Sequence, residues 1–239
     1  IMAQIVYYFS AAVSLGAPDR PVSFSVPTGN FGDIFAGYAA KQMGLPIDQL
    51  IIATNSNDIL ARTVETGRYE TSKVEATTSP SMDIQVSSNF ERLLYEASDR
   101  DGQYIRQSMS SLAQSGAFSL GDKVWQRVKG DFIAGRADNP TVDSVIDRVL
   151  AQSDYLLDPH TAIGVSVARN LRNSDAPMVV LATAHPAKFP DAVEQASGVR
   201  PPLPERNKGL MDGKEHSTLI ANDLGEVEGY ISAHTRAGK

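Results

Sequence analysis

Four short stretches of this 239-residue chain carry residue types that could do chemistry. The first is SVPTGNFGDIFAGYAAKQMG, residues 25 to 44. Pro27 and Gly29 end a strand, and Gly29 and Gly32 allow backbone conformations and close approaches that a Cβ would forbid. A helix then begins with its unpaired N–H groups facing the loop. Such a loop is an anion site, with phosphate as its natural guest. It is neither the GxxxxGK[ST] nor the GxGxxG phosphate loop. The same residue types also serve a plain strand-to-helix turn capped by Asp33, and the pattern alone leaves both readings open.

The second stretch is LATAHPAKF, residues 181 to 189. The Thr183 hydroxyl stands at the carboxyl end of an apolar strand, where open α/β sheets place their ligands, although threonine is also a good strand former. His185 before Pro186 is either a ligand or a loop stiffener. The third stretch, SDYLLDPHTAIG (153 to 164), contributes His160. The fourth, TNSNDILAR (54 to 62), offers Asn57 as a helix cap and Arg62 as an anion partner or a solvated helix-face residue. In TTSPSMDI (77 to 84), Ser79 and Ser81 suit an N-cap or a binding loop equally well.

The chain has four histidines and no HxH or HxxxH spacing, and no acidic cluster supports a metal site. GxSxG is also missing, which removes the sequence signature of an α/β-hydrolase nucleophile.

These stretches need elements to position them. Residues 2 to 14 have helical apolar spacing and stop at Gly16 and Pro18. PVSFSVPT (21 to 28) reads as a strand, the segment from Asp33 to Gly44 as a helix, and QLIIATN (49 to 55) as a second strand. Strand, helix and strand in this order make a βαβ unit and imply a parallel sheet covered by helices. From Asn89 to about Gln152 the pattern is helical, without a convincing strand. Asp158 caps a helix over 158 to 171, APMVVLATA (176 to 184) is a strand, and another helix follows HPAKF. Residues 200 to 213 read as coil and 219 to 235 as a last helix. The expected organisation is a cofactor-binding α/β domain over 1–75 and 155–239, incomplete at its N-terminal side, with a mainly helical insertion over 76–154.

Composition excludes several classes. Hydrophobic residues make up 42% of the chain, and no apolar run approaches the roughly 18 to 20 residues of a membrane span. A net charge of -6 argues against nucleic acid. Without cysteine there is no disulfide framework or thiolate nucleophile, and the expected compartment is cytoplasmic. The chain opens on IMAQIVYYFSAAV, with Ile1 where an initiator methionine should stand. It has no basic leader and carries polar Gln4, so it reads as a helix beginning mid-protein rather than a signal peptide.

Taken in order, SVPTGNFGD, TNSNDIL, SPSMDI, DPHTAIG and TAHPAKFP resemble the threonine synthases, pyridoxal-phosphate enzymes of the tryptophan-synthase-β-like fold (fold type II). The resemblance runs from Ile1 to about Val193 and is looser beyond residue 200. It implies that the loop cradles the cofactor's 5'-phosphate, with Gly29, Asn30, Phe31, Gly32 and Asp33 as cofactor-binding residues. It further implies that Thr183 hydrogen-bonds the pyridine nitrogen. A neutral partner there suits replacement and elimination at β and γ carbons. The family converts O-phosphohomoserine and water to threonine and phosphate with the cofactor as electron sink, and the released phosphate is thought to assist proton transfer. Asn57, Asp58, Arg62, Ser81 and His160 become candidates for holding the substrate.

The family's Schiff-base lysine lies in a Phe-Lys-Asp context, which these residues lack, and Lys41 and Lys188 fall on other elements. The resemblance therefore implies a C-terminal half whose lysine lies upstream of Ile1, inactive alone, with the missing N-terminal part as its partner. Its sheet should expose an apolar edge and inner face. The rival reading is a non-catalytic α/β module that holds another phosphorylated ligand at the same loop.

Overall fold

The computed structural model describes residues 1–236. The chain divides into two compact units, Ile1–Pro202 and Leu203–Lys239.

The first unit is built on the βαβ unit expected from sequence. Helix α1 (Met2–Ser14) precedes β1 (Val22–Pro27), α2 (Gly32–Gln42), β2 (Ile47–Thr54), α3 (Ile59–Thr66) and β3 (Arg68–Glu70). Then come α4 (Phe90–Ala97), α5 (Gly102–Ser115), β4 (Ala117–Ser119), α6 (Asp122–Asp131) and β5 (Ile133–Arg136). Helices α7 (Asn139–Ser153) and α8 (Pro159–Leu171), strand β6 (Met178–Val180) and helix α9 (Pro190–Ser197) complete it. The main sheet has the order β5-β2-β1-β6 and is parallel throughout.

Side-chain alternation along β2 explains why the sheet is covered on both faces. Leu50 and Ile52 join Tyr8, Phe24, Val26 and Ile34 in one core, whereas Ile51 and Ala53 join Ile146, Ile163 and Val167 in another. The serines of β1 fit the same logic, since Ser25 faces α8 and its hydroxyl donates to the Gly164 carbonyl at 2.8 Å. Helix α8 lies close on the sheet because Gly164 has no Cβ. A Cβ there would stand 2.7 Å from Val180 Cγ1 and 3.2 Å from Pro27 Cγ.

The section over 76–154 departs from the helical expectation. It contributes two strands, and β5 is an edge of the main sheet, paired with β2 from Ile51↔Ile133 to Thr54↔Arg136. Only four residues long and containing Gly135, β5 lacks the apolar run that marks a strand in sequence. Its glycine marks a close approach instead, because a Cβ at Gly135 would meet Val167 Cγ1 at 2.9 Å. Strand β4 pairs antiparallel with β3 in a separate two-stranded sheet. The section belongs to the same compact unit as the parallel sheet, and the division of the chain falls instead after Pro202. The strand expected over 176–184 is confined to three residues, after which the chain leaves the sheet.

The second unit, described by itself, holds two short 3-10 turns and α10 (Leu224–His234). Helix α10 starts where the Asp223 side chain accepts from the Glu226 N–H at 3.1 Å, later than the expected 219.

Candidate active site

Strands β1 and β6 are adjacent and parallel, so their carboxyl ends open side by side. A cavity of about 630 Å³ lies there, lined among others by Thr28 to Ile34, Ser81, Met82, His160, Leu181 to Ala184 and Lys188. Its size is typical of a small-ligand site.

One wall is the glycine loop. The Gly29 carbonyl accepts from Ser87 Oγ at 2.6 Å, and the Asn30 carbonyl accepts from the Asn89 N–H and Nδ2 at 3.0 Å each. The loop's carbonyls are thus held by residues outside the cavity wall. Asn30 Oδ1 accepts from the Gly32 N–H at 2.9 Å and folds the loop into the start of α2. Phe31 sits at that start with φ 67° and ψ 8°, a left-handed conformation uncommon in any residue but glycine. Its ring compensates by inserting into the core, 5.2 Å from Phe90 and 5.8 Å from Phe132 between centroids. Phe31 therefore offers the cavity its backbone, with its ring in the core.

Gly29 passes so near the 3-10 turn Pro80–Met82 that a Cβ would stand 2.8 Å from the Ser81 carbonyl oxygen. Asp33 does not cap the helix: the cap position is Phe31, with no side-chain cap bond. Its backbone carbonyl accepts from the Tyr8 hydroxyl at 2.8 Å. Burial pushes the Asp33 carboxyl up, while the Tyr8 hydroxyl works against that rise. Burial, together with the Asp33 charge, drives the Tyr8 phenol well above its ordinary value.

The other wall comes from α8 and the chain after β6. Asp158 caps α8, accepting from the His160 N–H at 2.9 Å and from the Thr161 N–H and hydroxyl. The same carboxylate takes His160 Nδ1 at 3.0 Å, so the ring is fixed at both its backbone and its side chain. Asp158 and His160 are 1% and 3% exposed, and His160 Nε2 is buried without a hydrogen-bond partner among the described residues. Thr183 lies three residues beyond the end of β6, where it is exposed and lines the cavity.

Of the residues expected at the site, Gly29, Asn30, Phe31, Gly32, Asp33, Ser81, His160 and Thr183 line this cavity. Asn57, Asp58 and Arg62 do not. Asn57 Nδ2 donates to the Glu75 carbonyl at 2.9 Å and Asp83 Oδ1 at 3.0 Å, and its Oδ1 accepts from the Glu75 N–H at 2.9 Å. With Asn55, Thr77 and Ser79 around the same Asp83 carboxylate, it pins the 75–83 loop. Asp58 is held by Arg62 Nε at 2.8 Å and by Arg136. Residues read as facing a ligand thus satisfy their own loop, which short polar side chains near a turn readily do. Sequence reasoning did not assign Gln4, Tyr7 and Lys188 to the wall. The one signal was Gln4, an amide in a helix whose other non-aromatic polar residues are Ser10 and Ser14. Among the described residues no three His, Asp or Glu side chains gather where a metal could sit.

A family profile described as threonine synthase, C-terminal, matches residues 161–231. The chain is 49% identical over 241 residues to threonine synthase of Pseudomonas aeruginosa, covering all of this chain and 51% of that protein. It superposes on a crystal structure of PLP-bound threonine synthase from Brucella melitensis with a TM-score of 0.91 and 60% identity, over 98% of this chain and 50% of that one. On the crystal structure of the yeast enzyme the TM-score is 0.84 with 39% identity, over 96% and 50% of the two chains. A parallel sheet covered on both faces, with a glycine loop at its carboxyl edge, places the chain in the structural class of the type II pyridoxal-phosphate enzymes. Within that class it belongs to the threonine synthase family, as a C-terminal part spanning about half the length of the relatives it matches.

Proposed function

We propose that this chain supplies the cofactor-phosphate cup and one wall of the active site of a threonine synthase, which converts O-phosphohomoserine and water to L-threonine and phosphate. The observation that carries this reading is the glycine loop, in which a left-handed Phe31 opens α2 into a cavity that also takes in His160 and Thr183. The residues present fit pyridoxal phosphate. The cup has its carbonyls bonded away by Ser87 and Asn89, and the helix that starts there adds its dipole for an anion. When bound, pyridoxal phosphate supplies an electron sink for the carbanion chemistry.

The chain's own residues then have separable tasks. Gly29 to Gly32 bind the cofactor's phosphate. Thr183 is the neutral hydrogen-bond partner for the ring nitrogen. The Asp158 carboxylate orients His160 in the wall. Lys41 is held by Asp131 at 2.9 Å, outside the cavity wall. We assign the Schiff-base lysine to the N-terminal half of the relatives, and activity to the two halves together. A cytoplasmic setting goes with this assignment, and among the described residues no helix is long and apolar enough to cross a membrane.

Mixing the chain with the N-terminal half of a close relative should restore phosphate release from O-phosphohomoserine, and the chain alone should release none. Borohydride reduction of the isolated chain with pyridoxal phosphate, followed by peptide mapping, should label no single lysine specifically. Specific labelling of one lysine, or release by the chain alone, would overturn the assignment.

A further inference from the structure

The carbonyls of Gly29 and Asn30 are both held by the short segment that leads into α4. Ser87 Oγ donates to the Gly29 carbonyl at 2.6 Å. The Asn30 carbonyl accepts from the Asn89 backbone N–H and from Asn89 Nδ2, each at 3.0 Å. Ser87 is itself fixed, because its N–H donates to the hydroxyl of buried Tyr69 at 2.8 Å, and the Tyr69 ring stacks on Phe90 and Phe118. Arg92 Nε donates to Asn89 Oδ1 at 3.0 Å, which leaves the Asn89 NH2 for Asn30.

A trans peptide is planar, with its C=O and its N–H pointing in opposite directions. The Gly29 carbonyl shares a peptide with the Asn30 N–H, and the Asn30 carbonyl shares one with the Phe31 N–H. Both are trans, since the cis bond among the described residues is Ala17–Pro18. These two N–H groups therefore leave the loop on the side away from Ser87 and Asn89. Neither finds an acceptor among the described residues. Asn30 and Phe31 line the cavity whereas Ser87 and Asn89 do not, so that side is the cavity. The left-handed Phe31 completes a turn of the kind in which successive N–H groups gather on an anion.

We propose that Ser87 is the positioning residue of the cofactor's phosphate cup: by holding the Gly29 carbonyl it aims the Asn30 N–H at the phosphate. The proposal rests on the reading of the glycine loop as that cup. Asn89 has the lesser part, because its backbone N–H keeps the Asn30 carbonyl whatever side chain stands there. Without the Ser87 hydroxyl the Gly29 carbonyl has no partner, and glycine's freedom lets this peptide turn its oxygen to the anion in place of the next N–H.

Titration of pyridoxamine phosphate into the 15N-labelled chain, followed by NMR, tests this with a probe that has no aldehyde to form adducts with lysines. Binding to the wild-type chain should move the Asn30 and Phe31 amide signals. Ser87→Ala should weaken binding roughly tenfold, the scale of one charge-assisted hydrogen bond, and Asn89→Ala by no more than about twofold. Affinity for pyridoxamine, which carries no phosphate, should be the same in all three proteins. The assignment is overturned by a Ser87→Ala chain that binds like the wild type, that loses as much affinity for pyridoxamine as for its phosphate, or that Asn89→Ala matches. Binding that leaves the Asn30 amide unmoved overturns it too. If the wild-type chain takes up no pyridoxamine phosphate, the cup reading fails separately, and the ligand-free spectra judge Ser87. Ser87→Ala should then split or broaden the Asn30 amide signal as the peptide samples two orientations, and a single sharp signal overturns the positioning role.

Discussion

The ring of Phe31 fills the core between Phe90 and Phe132 while its backbone stays left-handed, a conformation that costs an L-residue about 1–2 kcal/mol. Gly29 is equally constrained, and Gly29→Ala forces a Cβ against the Ser81 carbonyl. We expect a loss of about 1–3 kcal/mol in urea unfolding and weaker pyridoxal-phosphate binding in a fluorescence titration. Wild-type stability in this variant would show that the turn at Ser81 yields freely. The carboxylates give a signed test by pH. Burial alone would raise the Asp58 carboxyl, but hydrogen bonds from Arg62 and Arg136 outweigh it and leave the group below its ordinary 3.8. Its stabilisation is therefore present above pH 3.8 and lost as the pH falls through the lowered folded value. Asp33, pushed up by burial, has the opposite sign, and stability is gained as the pH falls through its raised value. Chemical denaturation of Asp58→Asn should show a deficit against wild type at pH 6 that closes in acid, and Asp33→Asn should not; parallel pH profiles would sink this assignment. These residues also show what sequence could convey. Glycines before a helix announce backbone geometry, so the strand-loop-helix turn at Gly29 to Gly32 was legible. Asn57 and Asp58 have the right chemistry at the right end of a strand, yet nothing local reveals that Asp83 and Arg136, 26 and 78 positions away, claim them.

Helix α8 shows how one element sets the site. It packs over β1 and β6 through Gly164, and it carries Asp158 and His160 at its first turn. Gly164→Ala should gain a little helix propensity and lose more by driving a Cβ to 2.7 Å from Val180 Cγ1. The net loss expected is about 1–2 kcal/mol in urea unfolding. An unchanged melting temperature would mean that the helix and sheet can slide. Elements whose signals are local were readable: α1 and the strand, helix and strand of β1, α2 and β2 fall within two residues of expectation. Strand β5 and the extent of β6 were not, for opposite reasons. The short β5 exists because β2 offers it an edge, and β6 stops after three residues although the apolar run continues. Both outcomes depend on neighbours distant in sequence, where tertiary context overrides strand propensity.

At the scale of the whole molecule, α1 has two apolar faces and packs chiefly on α2. Tyr8 and Ala12 are buried, but Met2, Val6 and Val13 are 85%, 59% and 62% exposed. At 100° per residue these three form one stripe, about a third of a turn from the buried pair. The parallel sheet adds two edges, with β5 and β6 each paired on one side only. An apolar helical stripe and open sheet edges favour association with another copy. We expect concentration-dependent oligomers of the isolated chain in size-exclusion chromatography with light scattering. Val6→Glu combined with Val13→Lys should shift them to monomer, and because both sites are exposed, stability should change by no more than about 0.5 kcal/mol. If the double variant still associates, the sheet edges carry the contact, and a lysine placed in β6 at Val179 becomes the change that should disperse it. A wild-type chain that stays monodisperse and monomeric across the concentration range would show that the stripe is tolerated in water, and the association argument would fail.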